Sequence, residues 1–279
     1  MSDWKQHEAG GIAYAERAGP GPVLVLLHGI GSWSGSFAPL APHLPADWRV
    51  IAWDAPGYGR STAMTPAWPR AADYAAALAR LLEALDLPRI LLAGHSLGAL
   101  MAASYAADRP GHVARMLLAA PALGHGVPQG GALSVAAQDR IDALHGEGPE
   151  IFAAARAPRL VHQPQSNPEV VARVYDAMAR VSLPGYGQAA RMLASGRLLD
   201  DLARIEVPTD VITGAEDVVT PPEGARRAHE ALPEAMRGAY TEVPGAGHAL
   251  YQQAPGAFAR ALAALATRHG APDPEEDRR

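Results

Sequence analysis

The chain has 279 residues, 48% of them hydrophobic and 19% charged, with a net charge of −5 and no cysteine. That length buries a sizeable apolar core, and the composition is that of a folded domain rather than a disordered chain. The acidic balance gives no reason to expect nucleic acid or an acidic membrane as partner, and the lack of cysteine excludes disulfides, zinc–thiolate sites and a thiol nucleophile.

Met1 to Glu8 is polar, without the apolar stretch of a signal peptide, and no apolar run reaches the roughly 18 residues that span a bilayer. The expectation is a cytoplasmic protein, monomer or homodimer. Trp4–Glu8 and Ile12–Glu16 flank Gly10-Gly11, a pair suited to positive φ, and read as a β-hairpin. Short apolar runs follow at residues 23–27, 50–53, 90–93 and, broken only by Arg115, 113–119. Runs without alternation fit strands buried on both faces, as in a parallel sheet covered by helices. Between them, Tyr74, Leu78, Leu81, Leu82 and Leu85 recur at helical spacing, with Asp73 placed to cap the helix 73–86.

The rhythm breaks near Gly124. Residues 132–199 hold helical stretches punctuated by glycine and proline, and no convincing strand. Strand and helix alternate again from 209: strands at 209–213 and 239–243, helices at 223–232 and 255–268. The pattern predicts a doubly wound, mostly parallel α/β sheet. Its core comprises residues 1–124 and 203–269, a helical cap is inserted over 125–202, and a flexible tail follows at 270–279.

Gly94-His95-Ser96-Leu97-Gly98 lies between the apolar run 90–93 and the helix-forming run from Leu97. A serine at such a strand-to-helix turn is pushed above the sheet beside a helix N-terminus, and its glycine neighbours avoid collisions that a Cβ would cause. A hydroxyl needs a base, and histidine with a carboxylate behind it supplies one. Asp217, after the strand 209–213, and His248, after the Gly/Pro turn at 244–247, lie on loops at the same carboxyl edge. Glu216 is the other acid candidate. Backbone donors for a developing oxyanion are expected from Leu97 N–H and, in the loop His28-Gly29-Ile30-Gly31, from Ile30 N–H.

With His28-Gly29 after an apolar strand, the turn 54–61, the serine elbow, the acid loop and Gly247-His248, the chain resembles the α/β-hydrolase superfamily over residues 23–248. The resemblance is nearest to capped carboxylesterases and enol-lactonases. Haloalkane dehalogenases and epoxide hydrolases carry aspartate where Ser96 stands. Many carbon–carbon bond hydrolases place tryptophan where Ala249 stands. The resemblance implies a cofactor-free, metal-free hydrolase of a small-molecule ester or lactone working through an acyl-enzyme. Carbon–carbon bond hydrolysis of a vinylogous diketo acid, and a ligand sensor on the same fold, are the alternatives.

His28 and His95 neighbour the site but are expected to be structural, hydrogen-bonding the oxyanion loop and the elbow. Asp54 is expected to hold its own turn. Among the arginines of the insertion, Arg191 is the candidate to bind a substrate carboxylate, because it adjoins the core-facing Met192 and Leu193. Trp33, with Phe37 and Met178, is a candidate pocket wall.

Overall fold

The computed structural model of the protein describes residues 4–267, so the tail expected at 270–279 lies outside the described residues. β1 (Lys5–Ala9) and β2 (Ile12–Arg17) form the expected hairpin, with Gly10 and Gly11 both at positive φ. The apolar runs become β3 (Val23–Leu27), β4 (Arg49–Trp53), β5 (Ile90–His95) and β6 (Val113–Ala119), followed by β7 (Thr209–Gly214) and β8 (Arg237–Val243). They make one eight-stranded sheet ordered β1-β2-β4-β3-β5-β6-β7-β8, antiparallel at β1-β2-β4 and parallel elsewhere.

The fully buried strands serve two cores with a period of two. Val25, Leu27 and Leu92 join the cluster under α1 (Ala71–Ala84) and α2 (Leu97–Asp108). Leu24, Leu26 and Leu91 join Phe37, Leu40, Phe258 and Leu262 on the other face. There they pack on a 3₁₀ stretch, Ser34–His43, and on the terminal helix. Pro39 and Pro42 inside that stretch remove the amides an α-helix needs. In α1, Asp73 sits in the first turn rather than at the cap, and its carboxylate accepts the Arg70 N–H at 2.7 Å.

The insertion between β6 and β7 is helical, as its sequence predicts. It comprises α3 (Val135–Arg156), α4 (Pro168–Met178), α5 (Gly185–Ser195) and α6 (Leu198–Leu202). Gly148 breaks α3 at φ 82°, ψ 167°, just before Pro149. α7 (Pro222–Ala231), α8 (Leu250–Gln253) and α9 (Pro255–Thr267) complete the chain. The insertion docks on the core backbone to backbone. A Cβ on Gly185 would lie 2.0 Å from Gly57 O, and one on Gly124 would lie 2.1 Å from Gly196 O. The Gln188 amide adds bonds to Met64 O (2.6 Å) and Pro66 O (2.9 Å).

After β3 the chain crosses to β4 on one side, then returns to β5 on the other. The loops leaving β3 and β5 therefore diverge around a crevice at the carboxyl edge, where open α/β sheets place their sites. The register sets Leu27 beside Gly94 and His95 beside Ala119. No helix among the described residues is long and apolar enough to cross a membrane.

Candidate active site

Ser96 stands at the turn from β5 into α2 with φ 53°, ψ −113°, a conformation that non-glycine residues adopt only under constraint. The constraint is visible: Ser96 N–H donates to Ala119 O (2.9 Å), and Ser96 O accepts from Ala122 N–H (3.2 Å). The flanking glycines are sterically required. A Cβ on Gly94 would lie 2.4 Å from Gly98 O, and one on Gly98 would lie 2.4 Å from Leu27 O. Helix α2 can thus press against the ends of β3 and β5, and Ser96 is lifted into a cavity of about 560 Å³ that His248 also lines.

Asp217 and His248 meet as their loops predict, with His248 Nδ1 2.8 Å from Asp217 Oδ2 and both side chains buried. An ionised carboxylate only accepts, so the proton sits on Nδ1, and Nε2 of the neutral ring keeps its lone pair. Asp217 Oδ1 accepts the N–H groups of Val219 (2.7 Å) and Thr220 (2.9 Å). Burial pushes the Asp217 carboxyl up, but the hydrogen bond and charge of His248 and these two amides outweigh it, holding the carboxyl below its ordinary value. The neighbouring Glu216 has no such bond: its Oε2 is buried without a partner.

Thr220 is a member of this cluster that the sequence did not flag. Its Oγ1 lies 2.9 Å from Asp217 Oδ2, 3.1 Å from His248 Nδ1 and 3.0 Å from Ala120 O. It ties the acid loop to the end of β6. Its position three residues after Asp217, in an Asx-type turn, was the only signal available.

The two remaining histidines have the structural roles expected of them. His28 Nε2 accepts the Ala55 N–H at 3.0 Å, so Nδ1 carries the proton and donates to Gly29 O at 2.8 Å. Burial pulls its pKa down, keeping the ring neutral. His95 Nε2 reaches the carbonyl of His248. Asp54 departs from expectation. Its Oδ1 accepts the Ser34 N–H at 2.7 Å, capping the 3₁₀ stretch after the loop 28–31 rather than closing its own turn. Ile30 O accepts from the Tyr58 hydroxyl at 2.8 Å, which fixes that loop from behind. The N–H groups of Ile30 and Leu97 carry no hydrogen bond among the described residues, and Ile30 lines the cavity.

The expected substrate contacts are placed differently. Neither Arg191 nor Trp33 lines the cavity. Arg191 lies on the α5 face toward Gly187, where a Cβ would come within 3.0 Å of Nη1. Trp33 is covered by the Arg180 guanidinium, 4.4 Å from its ring. Phe37 packs beneath the sheet edge against Tyr251, whereas Met178 does form cavity wall. The arginines on the cavity are Arg140, Arg156 and Arg159. No group of three or more histidine, aspartate or glutamate side chains is arranged to hold a metal ion among the described residues.

A doubly wound sheet, a strained serine elbow and an acid–histidine pair at its carboxyl edge define a hydrolase-type α/β architecture. The family model for the alpha/beta hydrolase fold matches residues 22–255, and the chain belongs to that family. It is 32% identical over 204 residues to (E)-2-((N-methylformamido)methylene)succinate hydrolase of Acinetobacter baylyi, covering 71% of this chain and 74% of that protein. It is 30% identical over 215 residues to a pimeloyl-[acyl-carrier protein] methyl ester esterase of Neisseria meningitidis, covering 74% and 79%. Among solved structures, the enol-lactonase from Burkholderia xenovorans LB400 superposes with a TM-score of 0.81 at 23% identity, over 95% of this chain and all of that one.

Proposed function

We propose that the protein is a serine hydrolase that cleaves a carboxylic ester or lactone of a small molecule through an acyl-enzyme. Ser96 Oγ attacks the carbonyl carbon while His248 Nε2 takes its proton. The oxyanion accepts hydrogen bonds from the N–H groups of Ile30 and Leu97. The C–O bond breaks, and the leaving oxygen takes the proton from His248. Water then attacks the acyl carbon, giving a proton to the same nitrogen, and Ser96 leaves with it. Asp217 keeps the proton on His248 Nδ1 throughout and stabilises the transient imidazolium. The insertion acts as a cap that limits bulk water and the size of substrate.

The observation that carries this reading is the Asp217–His248 bond of 2.8 Å on the cavity into which the strained elbow lifts Ser96. The named activities of the relatives support it: one hydrolyses a methyl ester, another a succinate derivative. In the test, 4-nitrophenyl butyrate is turned over repeatedly by the protein, and Ser96→Ala removes turnover while the folded state is retained by circular dichroism. Repeated turnover at an unchanged rate in the variant, or a single stoichiometric release by the parent, would overturn it.

A further inference from the structure

Arg140, Arg156 and Arg159 line the same cavity as Ser96 and His248, and no aspartate or glutamate lines it. None of the three makes an ion pair among the described residues. The chain as a whole is acidic, so this positive lining is a local feature rather than a reflection of net charge. Unpaired guanidinium groups in a concave, partly water-excluded space attract an anion more strongly than the same groups on an open surface.

Two of the arginines are built into one cluster. The Arg156 guanidinium lies 4.0 Å over the ring of Phe152, whose edge meets Tyr186 at 5.2 Å between centroids. Tyr186 is buried and lines the same cavity as Arg140 and Arg156. Burial raises the Tyr186 phenol above its ordinary value, and the charges of Arg140 and Arg156 both pull it back.

That convergence does not follow from helix geometry. On an unbroken α3, residues 140 and 156 would be about 24 Å apart along the axis and about 160° apart around it. The break at Gly148, with φ 82° and Pro149 behind it, interrupts α3 between the two arginines, and both line one cavity. A stacked guanidinium keeps its N–H edge free, the geometry that grips a carboxylate with two parallel hydrogen bonds.

We infer that Arg140, Arg156 and the Tyr186 hydroxyl form a carboxylate-binding subsite, so that the substrate is an ester or lactone bearing a free carboxylate on the part that lies against α3 and α5. This rests on the serine-hydrolase reading for the bond cleaved, and on the cavity lining alone for the anion bound. The apolar wall of Val174, Met178 and Leu193 leaves the intervening carbon chain in a non-polar environment.

Binding is measured by calorimetry on the Ser96→Ala protein, with adipate and dimethyl adipate as probes, so that no step depends on turnover. Adipate should bind at least about tenfold more tightly than the diester. On the same background, Arg140→Met and Arg156→Met should each weaken adipate by about tenfold or more, and Arg156→Lys, which keeps the charge without the fork, by less. Equal affinity for the two probes overturns the subsite without any arginine variant having to fold, as does adipate affinity unchanged in both methionine variants. With the parent protein, kcat/KM for 4-nitrophenyl hydrogen adipate should exceed that for methyl 4-nitrophenyl adipate. No turnover of either ester, together with arginine-dependent adipate binding, would refute the esterase reading and support the subsite.

Discussion

The rings of His95 and His248 lie with centroids 4.8 Å apart and planes tilted by 52°, and His95 Nε2 lies 2.9 Å from the backbone oxygen of His248. A carbonyl only accepts, so Nε2 carries the His95 proton, and its Nδ1 is buried without a partner. The elbow residue before the serine thereby pins the loop that presents the imidazole. Complete burial, then the neighbouring His248, push the His95 pKa down to about 3, so the ring stays neutral.

Neutral burial makes His95 a source of acid sensitivity. Its pKa falls from 6.5 in the unfolded chain to about 3 in the folded protein, so the unfolded state binds more protons between those values. The contribution to stability is complete above pH 6.5 and is lost as the pH falls towards 3, in full on the order of 5 kcal/mol. Urea unfolding of the parent between pH 4 and 7 should show stability falling steeply with acid. His95→Gln, which keeps a donor for the His248 carbonyl but cannot titrate, should flatten that slope. Parallel curves would mean that His95 is not held neutral.

Thr220 has one hydroxyl proton and three neighbours, and its bonds span the acid loop, His248 and the end of β6. Thr220→Val keeps the shape but removes the hydroxyl, leaving Ala120 O without that donor. Stability should fall by about 1–2 kcal/mol. The rate on 4-nitrophenyl butyrate should fall by about tenfold as the imidazole loses a restraint. Thr220→Ser should restore both. A valine variant with normal kcat would reduce Thr220 to a stabilising residue alone.

The four central strands, β3 to β6, were legible in the sequence because they are largely buried on both faces, which leaves nearly unbroken apolar runs. Ser96, Asp217 and His248 were legible for a related reason: each stands on a short loop leaving a strand of that sheet, so topology alone brings them to one edge. The arginines lining the cavity were not. Arg191 is the candidate in sequence because Met192 and Leu193 adjoin it, but neighbours in sequence point to different faces of a helix, and Met192 is buried where Arg191 is half-exposed. Arg140 and Arg156 line the cavity from either side of a backbone break at Gly148, and the glycine and proline there read only as punctuation. Asp54 caps a segment twenty residues before it, a contact that local turn chemistry does not reveal.

Asp217 and Glu216 are adjacent carboxylates with opposite surroundings, which separates their roles experimentally. Asp217→Asn places an amide where His248 Nδ1–H needs an acceptor, so the ring is driven toward the other tautomer and Nε2 loses its lone pair. The expected fall in kcat on 4-nitrophenyl butyrate is about 10⁴-fold. Glu216→Gln, whose carboxylate makes no side-chain bond at Oε2, should stay within a few-fold of the parent. Comparable losses in the two variants would remove Asp217 from its assigned role.

Gly185 opens α5 against Gly57, and the contact is backbone on backbone: a Cβ there would lie 2.0 Å from Gly57 O and 2.9 Å from Gly57 Cα. No side-chain tip can swing aside, and Gly57, at φ 82°, sits in a turn that carries its own constraint. Gly185→Ala must therefore push the first turn of α5 off the core, at a cost of at least about 1–3 kcal/mol. Tyr186 is the next residue and lines the cavity, whereas the elbow and the Asp217–His248 pair hang from the sheet. KM should consequently rise more than kcat falls, and the thermal midpoint should drop by several degrees. Gly146→Ala is the matched control on the same insertion, since a Cβ there meets nothing within 4 Å. It should leave KM alone and, as alanine in a helix, hold or slightly raise the midpoint. If Gly185→Ala lowers kcat and leaves KM untouched, α5 does not position the substrate.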